Sequence, residues 1–304
     1  MEPYEPYPPV RGRQRRRGGF DPDDLVVTRH RPGVPAERTA EPAAEEDDEP
    51  SWSTWADAVH GPQPPPVPVM ADGGAVDTDR GVLKTGKEAD VHLVERAVPG
   101  GDACLLAVKR YRGSDHRLFH RDAGYLEGRR VRRSREMRAM ARRTEFGRDL
   151  VAVQWAAAEF AALSRLWAAG PDVRVPYPVQ LRGTELMLEF LGTPDGVAAP
   201  RLAQLRPEGG ELDGLWDQCR LGVLALARMG LAHGDLSPYN TLVHEGRLVL
   251  IDLPQVVDVV ANPQGPAFLS RDVAVMATWF QAHGTPADAE HLTREALAAA
   301  GLSA

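Results

Sequence analysis

Alternation of apolar and polar positions marks several stretches between residues 82 and 191, and it predicts an antiparallel sheet. A period of two is typical of strands that bury one face. The predicted strands are residues 82–94, read as strand, turn and strand, then 105–111, and finally 179–182 and 185–191 around a Gly-Thr turn. The first ordered part of the chain is therefore expected to be a sheet lobe.

Helical spacing of apolar positions marks the longer segments. Residues 153–169 carry such a stripe, and Gly170 with Pro171 ends the predicted helix. Further helices are predicted at residues 212–231, 268–282 and 288–300. The glycine- and proline-containing break after Leu191 is interpreted as a hinge between a sheet lobe and a helical lobe, with a backbone suited to contact an adenine edge.

The most informative stretch runs from His233 to Asp252. It begins with the pattern H-x-D-x-x-x-x-N, continues as a predicted hairpin and ends in Asp252. The hairpin is expected to bring Asn240 beside Asp252, with Asp235 just outside the same end. Two oxygen ligands suit Mg²⁺, which keeps phosphate oxygens as further ligands, and Asp235 is then placed to orient a nucleophile for phosphoryl transfer. The alternative is a surface hairpin with incidental acids.

Lys109 and Glu159 are predicted to form an ion pair. Lys109 shares a strand face with the small Ala107, which suits a phosphate ligand beside an adenine contact. Glu159 has Ala156 and Leu163 on its helix face, and an inward acid needs a cation. A solvated edge lysine is the competing interpretation for Lys109.

A polar turn, Thr85-Gly86-Lys87-Glu88, separates the first two predicted strands. Its backbone N–H groups are candidates to face phosphate. The turn matches neither of the common glycine-rich nucleotide motifs, and an ordinary hairpin explains it equally well.

Overall composition fits a folded chain of 304 residues with a net charge of −7 and 43% hydrophobic residues. The negative charge argues against a general nucleic-acid binder. The two cysteines, Cys104 and Cys219, lie far apart in the sequence, so neither a disulfide framework nor a structural zinc site is expected. This cysteine content predicts a protein of the reducing cytoplasm. The sequence contains no apolar run of membrane-spanning length and no apolar signal region at its start.

Two charged regions stand apart from this pattern. Residues 1–75, with blocks of basic and acidic residues and many prolines, are predicted to be disordered because they offer little apolar surface to offset ordering. Residues 121–148 form an arginine-rich insertion. The basic block at residues 11–17 and this insertion are interpreted either as solvated charged surfaces or as contacts for RNA or an acidic partner.

Taken together, the motifs resemble the RIO family of atypical protein kinases and ATPases, most closely its type-one branch. The matching pieces are T-G-K-E-A-D-V at residues 85–91, A-V-K-R-Y at 107–111, Trp155 with Glu159, M-L-E-F-L-G at 187–192, H-G-D-L-S-P-Y-N at 233–240, I-D-L-P-Q at 251–255 and F-L-S-R-D-V at 268–273. Two positions depart from the family pattern: Lys84 stands where a small polar residue is more frequent, and Pro254 replaces a usual serine.

The resemblance implies an α+β, small two-lobed protein-kinase-like fold with an N-lobe of antiparallel sheet and helix and a mainly helical C-lobe. The expected organisation is a disordered tail at residues 1–75, an N-lobe with the arginine-rich insertion at 76–191, and a truncated C-lobe at 192–304. The C-lobe is expected to be truncated because the chain continues only to Ala304 beyond Asp252, too short for a peptide-binding activation segment.

Site roles follow from the same resemblance. Asp235 looks like the catalytic base, and Asp252 like a metal ligand with Asn240 and also a transient phosphate acceptor. The cofactors implied are ATP and Mg²⁺ or Mn²⁺. The residues expected to bind ATP are Thr85, Gly86, Lys87, Glu88, Lys109, Glu159, Glu189 and Leu191.

The predicted activity is transfer of the γ-phosphate of ATP to serine or threonine of a protein, or to the chain itself, with ATP hydrolysis as a variant. Members of the family in eukaryotes and archaea act in small-subunit ribosome maturation, which makes a ribosomal partner an expectation. Two alternatives stay open at this point. One is a small-molecule phosphotransferase of the aminoglycoside or fructosamine kinase kind; the other is a nucleotide-gated binding module with negligible turnover.

Overall fold

The strands and helices below come from a computed structural model that describes residues 51–112 and 145–302. The strands are β1 (Ser51–Trp52), β2 (Val59–His60), β3 (Val76–Thr85), β4 (Ala89–Ala97), β5 (Ala103–Tyr111), β6 (Pro178–Arg182), β7 (Glu185–Glu189), β8 (Leu231–Ala232), β9 (Thr241–His244), β10 (Arg247–Leu250) and β11 (Val257–Asp258). The α-helices are α1 (Glu145–Ala168), α2 (Gly209–Arg228), α3 (Gly265–Ala282) and α4 (Ala289–Ala299).

A 7-stranded antiparallel sheet, in the order β1-β3-β4-β5-β7-β6-β2, forms the first lobe. It confirms the strands predicted by alternation. The edge strands β1 and β2 pair with opposite sides of the sheet, yet only about six residues join them, a span of at most ~20 Å. The sheet therefore has to curl until its two edges approach each other.

The inside of this curl holds a small apolar core and a buried ion pair. The apolar side chains are Met70, Val94, Leu106, Val108, Tyr177, Val179 and Met187. Arg96, which is 0% exposed, donates to both carboxylate oxygens of Asp77 at 2.7 and 2.8 Å. It also donates to the Met70 carbonyl at 2.6 Å and to Gln180 Oε1 at 3.1 Å. This one side chain thus joins β3, β4, β6 and the segment between β2 and β3.

The prediction of disorder up to residue 75 was wrong for residues 51–75. These residues supply β1 and β2, and Val69 and Met70 are buried against the sheet. Trp55 also stacks on His60 with ring centroids 3.8 Å apart. The composition of the segment did not indicate that it is ordered, because the segment has no hydrophobic core of its own. It is stabilised by the edges of the sheet and by apolar surface, which residues later in the chain provide. Residues 1–50 lie outside the described part.

The helical segments agree with the predicted ones, although α1 begins earlier than expected, at Glu145. Leu163 and Leu166 of α1 belong to the same buried cluster as apolar residues of α2, α3 and α4, so α1 packs on both the sheet and the helical part. The sheet lobe and helices confirm the α+β, two-lobed kinase-like fold. The boundary between residues 191 and 192 stays a prediction.

Two further expectations from the sequence concern the arginine-rich insertion and membrane-spanning helices. Most of the arginine-rich insertion lies outside the described residues, because residues 113–144 fall between the described ranges. Among the helices of the described part, none combines the length and apolar character needed to cross a membrane.

Candidate active site

The loop from His233 to Asn240 connects β8 to β9 and is fixed by buried contacts. Gly234 has φ +85°, and a Cβ there would lie 2.3 Å from the Gln255 carbonyl oxygen, so only glycine fits. Asp272 of α3 is buried and accepts hydrogen bonds from the Gly234 N–H at 2.8 Å and the Leu236 N–H at 3.0 Å. Burial raises the pKa of Asp272 despite these donors. Hydrogen bonds from the residue before Asp235 and from the residue after it therefore fix the backbone at Asp235.

Asp235 lies between an amide and a guanidinium. Asn240 Nδ2 donates to the Asp235 carbonyl at 2.9 Å and to its Oδ2 at 3.3 Å. Arg271 Nη2 lies 3.2 Å from Asp235 Oδ1. Because the Asn240 amide nitrogen is turned towards Asp235, the amide oxygen of Asn240 is left for another ligand.

The β9–β10 hairpin brings Asp252 to the end of this loop. The Ile251 N–H donates to the Asn240 carbonyl at 3.1 Å, which confirms that the two ends of the hairpin lie side by side. His233 Nε2 lies 3.1 Å from the Ile251 carbonyl. Asp252 itself has φ 65°, a left-handed backbone that is uncommon outside glycine. Its side chain turns towards the sheet lobe rather than towards Asn240.

Lys109 joins the two lobes through two carboxylates. Its Nζ lies 2.8 Å from Glu159 Oε2 and 2.7 Å from Asp252 Oδ1. The predicted pair of strand lysine and helix glutamate is therefore confirmed, and Asp252 is a partner that the sequence did not indicate. Glu159 is 1% exposed and also accepts hydrogen bonds from the Tyr111 hydroxyl and, at 3.1 Å, from the Leu253 N–H.

The cluster combines one ammonium, that of Lys109, with the two carboxylates of Glu159 and Asp252. Burial alone would raise the pKa of Asp252, but the Lys109 ammonium holds it below its usual range. Burial would likewise lower the pKa of Lys109, and the carboxylates of Glu159 and Asp252 raise it instead. Burial and the Glu159 carboxylate raise the pKa of Tyr111, so the phenol keeps its proton and acts as a donor.

Replacing Lys109 with alanine is expected to affect both activity and stability. The buried Glu159 carboxylate would lose its cation, which costs on the order of 3–5 kcal/mol of unfolding free energy. The double variant Lys109→Ala with Glu159→Gln should recover much of that stability but none of the phosphate transfer. Urea unfolding and ATP turnover of both variants check this, and recovery of turnover in the double variant would contradict the role of Lys109.

In the tight turn between β3 and β4, one backbone N–H group is hydrogen-bonded within the turn itself. The Gly86 N–H donates to the Ala89 carbonyl at 3.0 Å, so it is already committed within the turn. The Glu88 carbonyl accepts from the Arg112 N–H at 2.9 Å, and Lys87 is exposed. Any phosphate contact by Thr85, Gly86, Lys87 or Glu88 stays a prediction.

Glu189 is the last residue of β7, and Leu191 follows it. Glu189 Oε2 accepts from the Tyr177 N–H at 3.0 Å, so its carboxylate is turned towards the residue that precedes β6. The Leu191 side chain is buried and its carbonyl accepts from the Ala199 N–H at 2.8 Å. Adenine recognition by Glu189 and Leu191 stays a prediction.

Few side chains in the candidate site could bind a metal ion. Within residues 51–112 and 145–302 no group of three or more His, Cys, Asp or Glu side chains could hold a metal ion. The remaining donors are the amide oxygen of Asn240 and the second carboxylate oxygen of Asp252. Such a set fits Mg²⁺ or Mn²⁺ completed by phosphate oxygens and water, and it does not fit zinc.

Three contributions were missed from the sequence: the donation from Tyr111 to Glu159, the ion pair of Arg271 with Asp235, and the buried acceptor Asp272. An available signal was the Arg271-Asp272 pair inside an otherwise apolar helix. A buried helix carboxylate needs donors, and the loop from His233 to Asn240 supplies them.

The curled sheet over helices, with a strand lysine paired to a helix glutamate and a loop aspartate near a hairpin-end aspartate, defines a protein-kinase-like phosphotransferase. A family model for the RIO domain matches residues 103–292. The chain belongs to the RIO family.

Curated relatives agree with this assignment. The chain is 37% identical to the RIO-type serine/threonine-protein kinase Rio1 of Haloferax volcanii over 73% of this chain and 70% of that protein. It is 30% identical to the serine/threonine-protein kinase rio1 of Schizosaccharomyces pombe over 70% of this chain and 40% of that protein. For the RIO1 kinase of Saccharomyces cerevisiae the values are 27%, 71% and 46%. The chain thus spans less than half the length of the two yeast relatives. The small-molecule phosphotransferase alternative is not favoured.

Proposed function

We propose that this protein is a RIO-type, ATP-dependent kinase that transfers the γ-phosphate of ATP to serine or threonine of a protein, or to itself. The observation that carries the proposal is the Lys109 contact with both Glu159 and Asp252, next to a loop that holds Asp235 and Asn240. These are the parts that kinase chemistry requires, and they come from both lobes.

Lys109 is the proposed phosphate-positioning residue. Glu159 orients the ammonium, and the Tyr111 hydroxyl and Leu253 N–H in turn fix Glu159. Because Lys109 contacts two carboxylates, bound phosphates would share its charge with Asp252. The segment containing Glu189 and Leu191 is the proposed adenine contact, and the turn at residues 85–88 is proposed to cover the phosphates.

Asn240 and Asp252 are the proposed metal ligands. Lys109 donates to Oδ1 of Asp252, and no described residue donates a hydrogen bond to the second oxygen, which is therefore a candidate ligand together with the Asn240 amide oxygen. A divalent cation held there, Mg²⁺ or Mn²⁺, would neutralise charge on the phosphates.

Asp235 is the proposed base for the acceptor hydroxyl. The Asn240 amide fixes its orientation, and the Arg271 guanidinium lies against its Oδ1. An acceptor hydroxyl would therefore approach a carboxylate whose rotamer is already fixed, which lowers the cost of reaching the reactive geometry.

The proposed partners are ATP and a protein substrate or the chain itself. The two cysteines, Cys104 and Cys219, are free thiols, which supports a reducing cytoplasmic setting. RNA or ribosome contact by residues 11–17 or by the arginine-rich insertion belongs to the same proposal, although most of those residues lie outside the described ones.

The proposal is tested with ATP labelled at the γ-phosphate. We expect label on the protein or on an added protein substrate, stable to hydroxylamine and mapping to serine or threonine. Hydroxylamine-labile label that disappears in Asp252→Asn would instead identify an acyl phosphate on Asp252 and an ATPase cycle.

Asp235→Asn should reduce phosphate transfer by about 10²–10⁴-fold while nucleotide binding stays unchanged, since a general base contributes that much. Asp217→Asn, which changes an exposed carboxylate of α2, serves as the matched control. Absence of turnover in the wild-type protein, together with ATP-dependent partner capture that survives Asp235→Asn, would replace the kinase by a nucleotide-gated binding module.

A further inference from the structure

We propose that Lys84 and Arg201 form a second phosphate clamp, with one cation from each lobe, that recognises the terminal phosphate of a nucleoside triphosphate. The inference rests on the proposed function, because it assigns nucleotide selectivity within the same site. The pair Lys84 and Arg201 is called the terminal-phosphate clamp below.

The register of the sheet places Lys84 on the same face as Lys109. Lys84 of β3 lies opposite Val91 of β4, and Val91 lies opposite Lys109 of β5. Directly opposed residues of antiparallel strands project to the same face, and two strand spacings separate these Cα atoms by about 10 Å. Lys84 therefore reaches over the same cleft as Lys109, from the side of the phosphate-covering turn.

Arg201 is held beside the catalytic loop by its backbone neighbours. It forms an isolated bridge with Leu242 of β9, and the Val243 N–H donates to the Pro200 carbonyl at 2.9 Å. The Ala203 N–H donates to the carbonyl of Pro238, inside the catalytic loop, at 3.0 Å. The position of Arg201 is thus coupled to the loop that carries Asp235 and Asn240.

Neither cation of the clamp has an ion-pair partner in the part of the chain that the structure describes. Among residues 51–112 and 145–302, no carboxylate lies within 4.0 Å of either Lys84 or Arg201. Partial desolvation, and then the nearby Arg201 guanidinium, lower the pKa of Lys84, while Asp252 acts in the opposite direction. Desolvation also lowers the pKa of Arg201, again against the attraction of Asp252. Two like charges brought together in this way favour binding of a multivalent anion.

The position of the clamp selects which anion it binds. Lys109 already contacts Glu159 and Asp252, whereas the charge of Asp252 acts on Lys84 and Arg201 without an ion-pair contact among the described residues. A nucleotide anchored by Lys109 and by a metal ion at Asp252 would present its last phosphate between them. ADP lacks that phosphate, so the clamp would distinguish ATP from ADP.

Because the chain contains few lysines, protection of Lys84 by a bound nucleotide can be measured directly by chemical modification. Lys84, Lys87 and Lys109 are the only lysines of the chain, although arginine is abundant. Acetylation by an amine-reactive ester, read by peptide mass spectrometry, therefore reports on these three side chains and the amino terminus alone. We expect a non-hydrolysable ATP analogue to protect Lys84, and ADP at equal saturation to leave it reactive.

The decisive experiment measures Kd for the ATP analogue and for ADP, both with Mg²⁺, by calorimetry on the full chain. Lys84→Met and Arg201→Gln should each weaken binding of the analogue by about tenfold, as expected for loss of a charge-assisted hydrogen bond. ADP affinity should change by less than about twofold, within the scatter of surface substitutions. Arg80→Gln on β3 and Arg206→Gln in the segment after Arg201 are matched controls, since both are exposed arginines outside the site.

The outcomes separate the clamp from the proposed function. If wild-type protein binds both nucleotides but the variants weaken both equally or neither, the clamp is refuted and the kinase proposal stands. If wild-type protein binds neither nucleotide, the proposed function itself fails. Equal protection of Lys84 by inorganic phosphate alone would show a free-phosphate site and overturn recognition of the terminal phosphate of a nucleotide. Matching melting temperatures confirm that each variant folds.

Discussion

Asp252→Ala and Asp252→Asn are both expected to reduce Mg²⁺-dependent phosphate transfer by about a thousandfold, or ~4 kcal/mol in the barrier. The carboxylate is the proposed link between the metal ion and Lys109, and neither replacement restores its charge. The asparagine variant separates catalysis from folding, because Asp252 has φ 65° and asparagine tolerates this backbone better than alanine does.

The measurements are initial rates and Kd for ATP over a range of Mg²⁺ concentrations. In wild-type protein, ATP affinity should rise with Mg²⁺, and in both Asp252 variants that dependence should be lost. Asn240→Ala should behave in the same way, since its amide oxygen is the second proposed ligand. Wild-type rates and Mg²⁺ dependence in Asp252→Asn would exclude Asp252 as a metal ligand.

Arg96→Leu is expected to cost on the order of 3–5 kcal/mol of unfolding free energy, the range found when one partner of a buried ion pair is removed. Arg96 is fully buried, and its removal leaves Asp77 without the two hydrogen bonds at 2.7 and 2.8 Å. The Met70 carbonyl and Gln180 lose a donor as well. Denaturant unfolding followed by tryptophan fluorescence measures the change.

The matched comparison uses an exposed ion pair of the same two strands. Arg80→Gln breaks the contact with Glu95, where the side chains are 49% and 32% exposed, and should cost at most ~1 kcal/mol. The double variant Arg96→Leu with Asp77→Leu should be more stable than Arg96→Leu alone, because it leaves no buried unpaired carboxylate. A loss in Arg96→Leu no larger than that in Arg80→Gln would contradict the importance of the buried network.

Much of the site was predictable because its parts are local in sequence. The loop from His233 to Asn240 and the hairpin to Asp252 form one continuous segment, and a two-residue turn fixes their register. The pairing of Lys109 with Glu159 followed from strand and helix periodicity, since an inward carboxylate requires a cation.

Contacts that depend on distant segments were not predictable. Asp252 contacts Lys109 of the sheet lobe, which lies far from it in sequence. Arg201 lies beside the end of the loop from His233 to Asn240 because the segment after β7 pairs with Leu242 of β9. The spacing of apolar residues in either segment does not predict these contacts.

The sequence by itself determined strands β3–β7, the β9–β10 hairpin, the helices, the loop from His233 to Asn240 and the kinase-like class, because alternation, helical spacing and short motifs act over a few residues. Only the tertiary structure decided that residues 51–75 close the sheet, that Arg96 is buried, and that Arg201 forms a bridge with β9. The physical reason is that sheet closure, burial and electrostatic fields depend on distances between segments far apart in sequence.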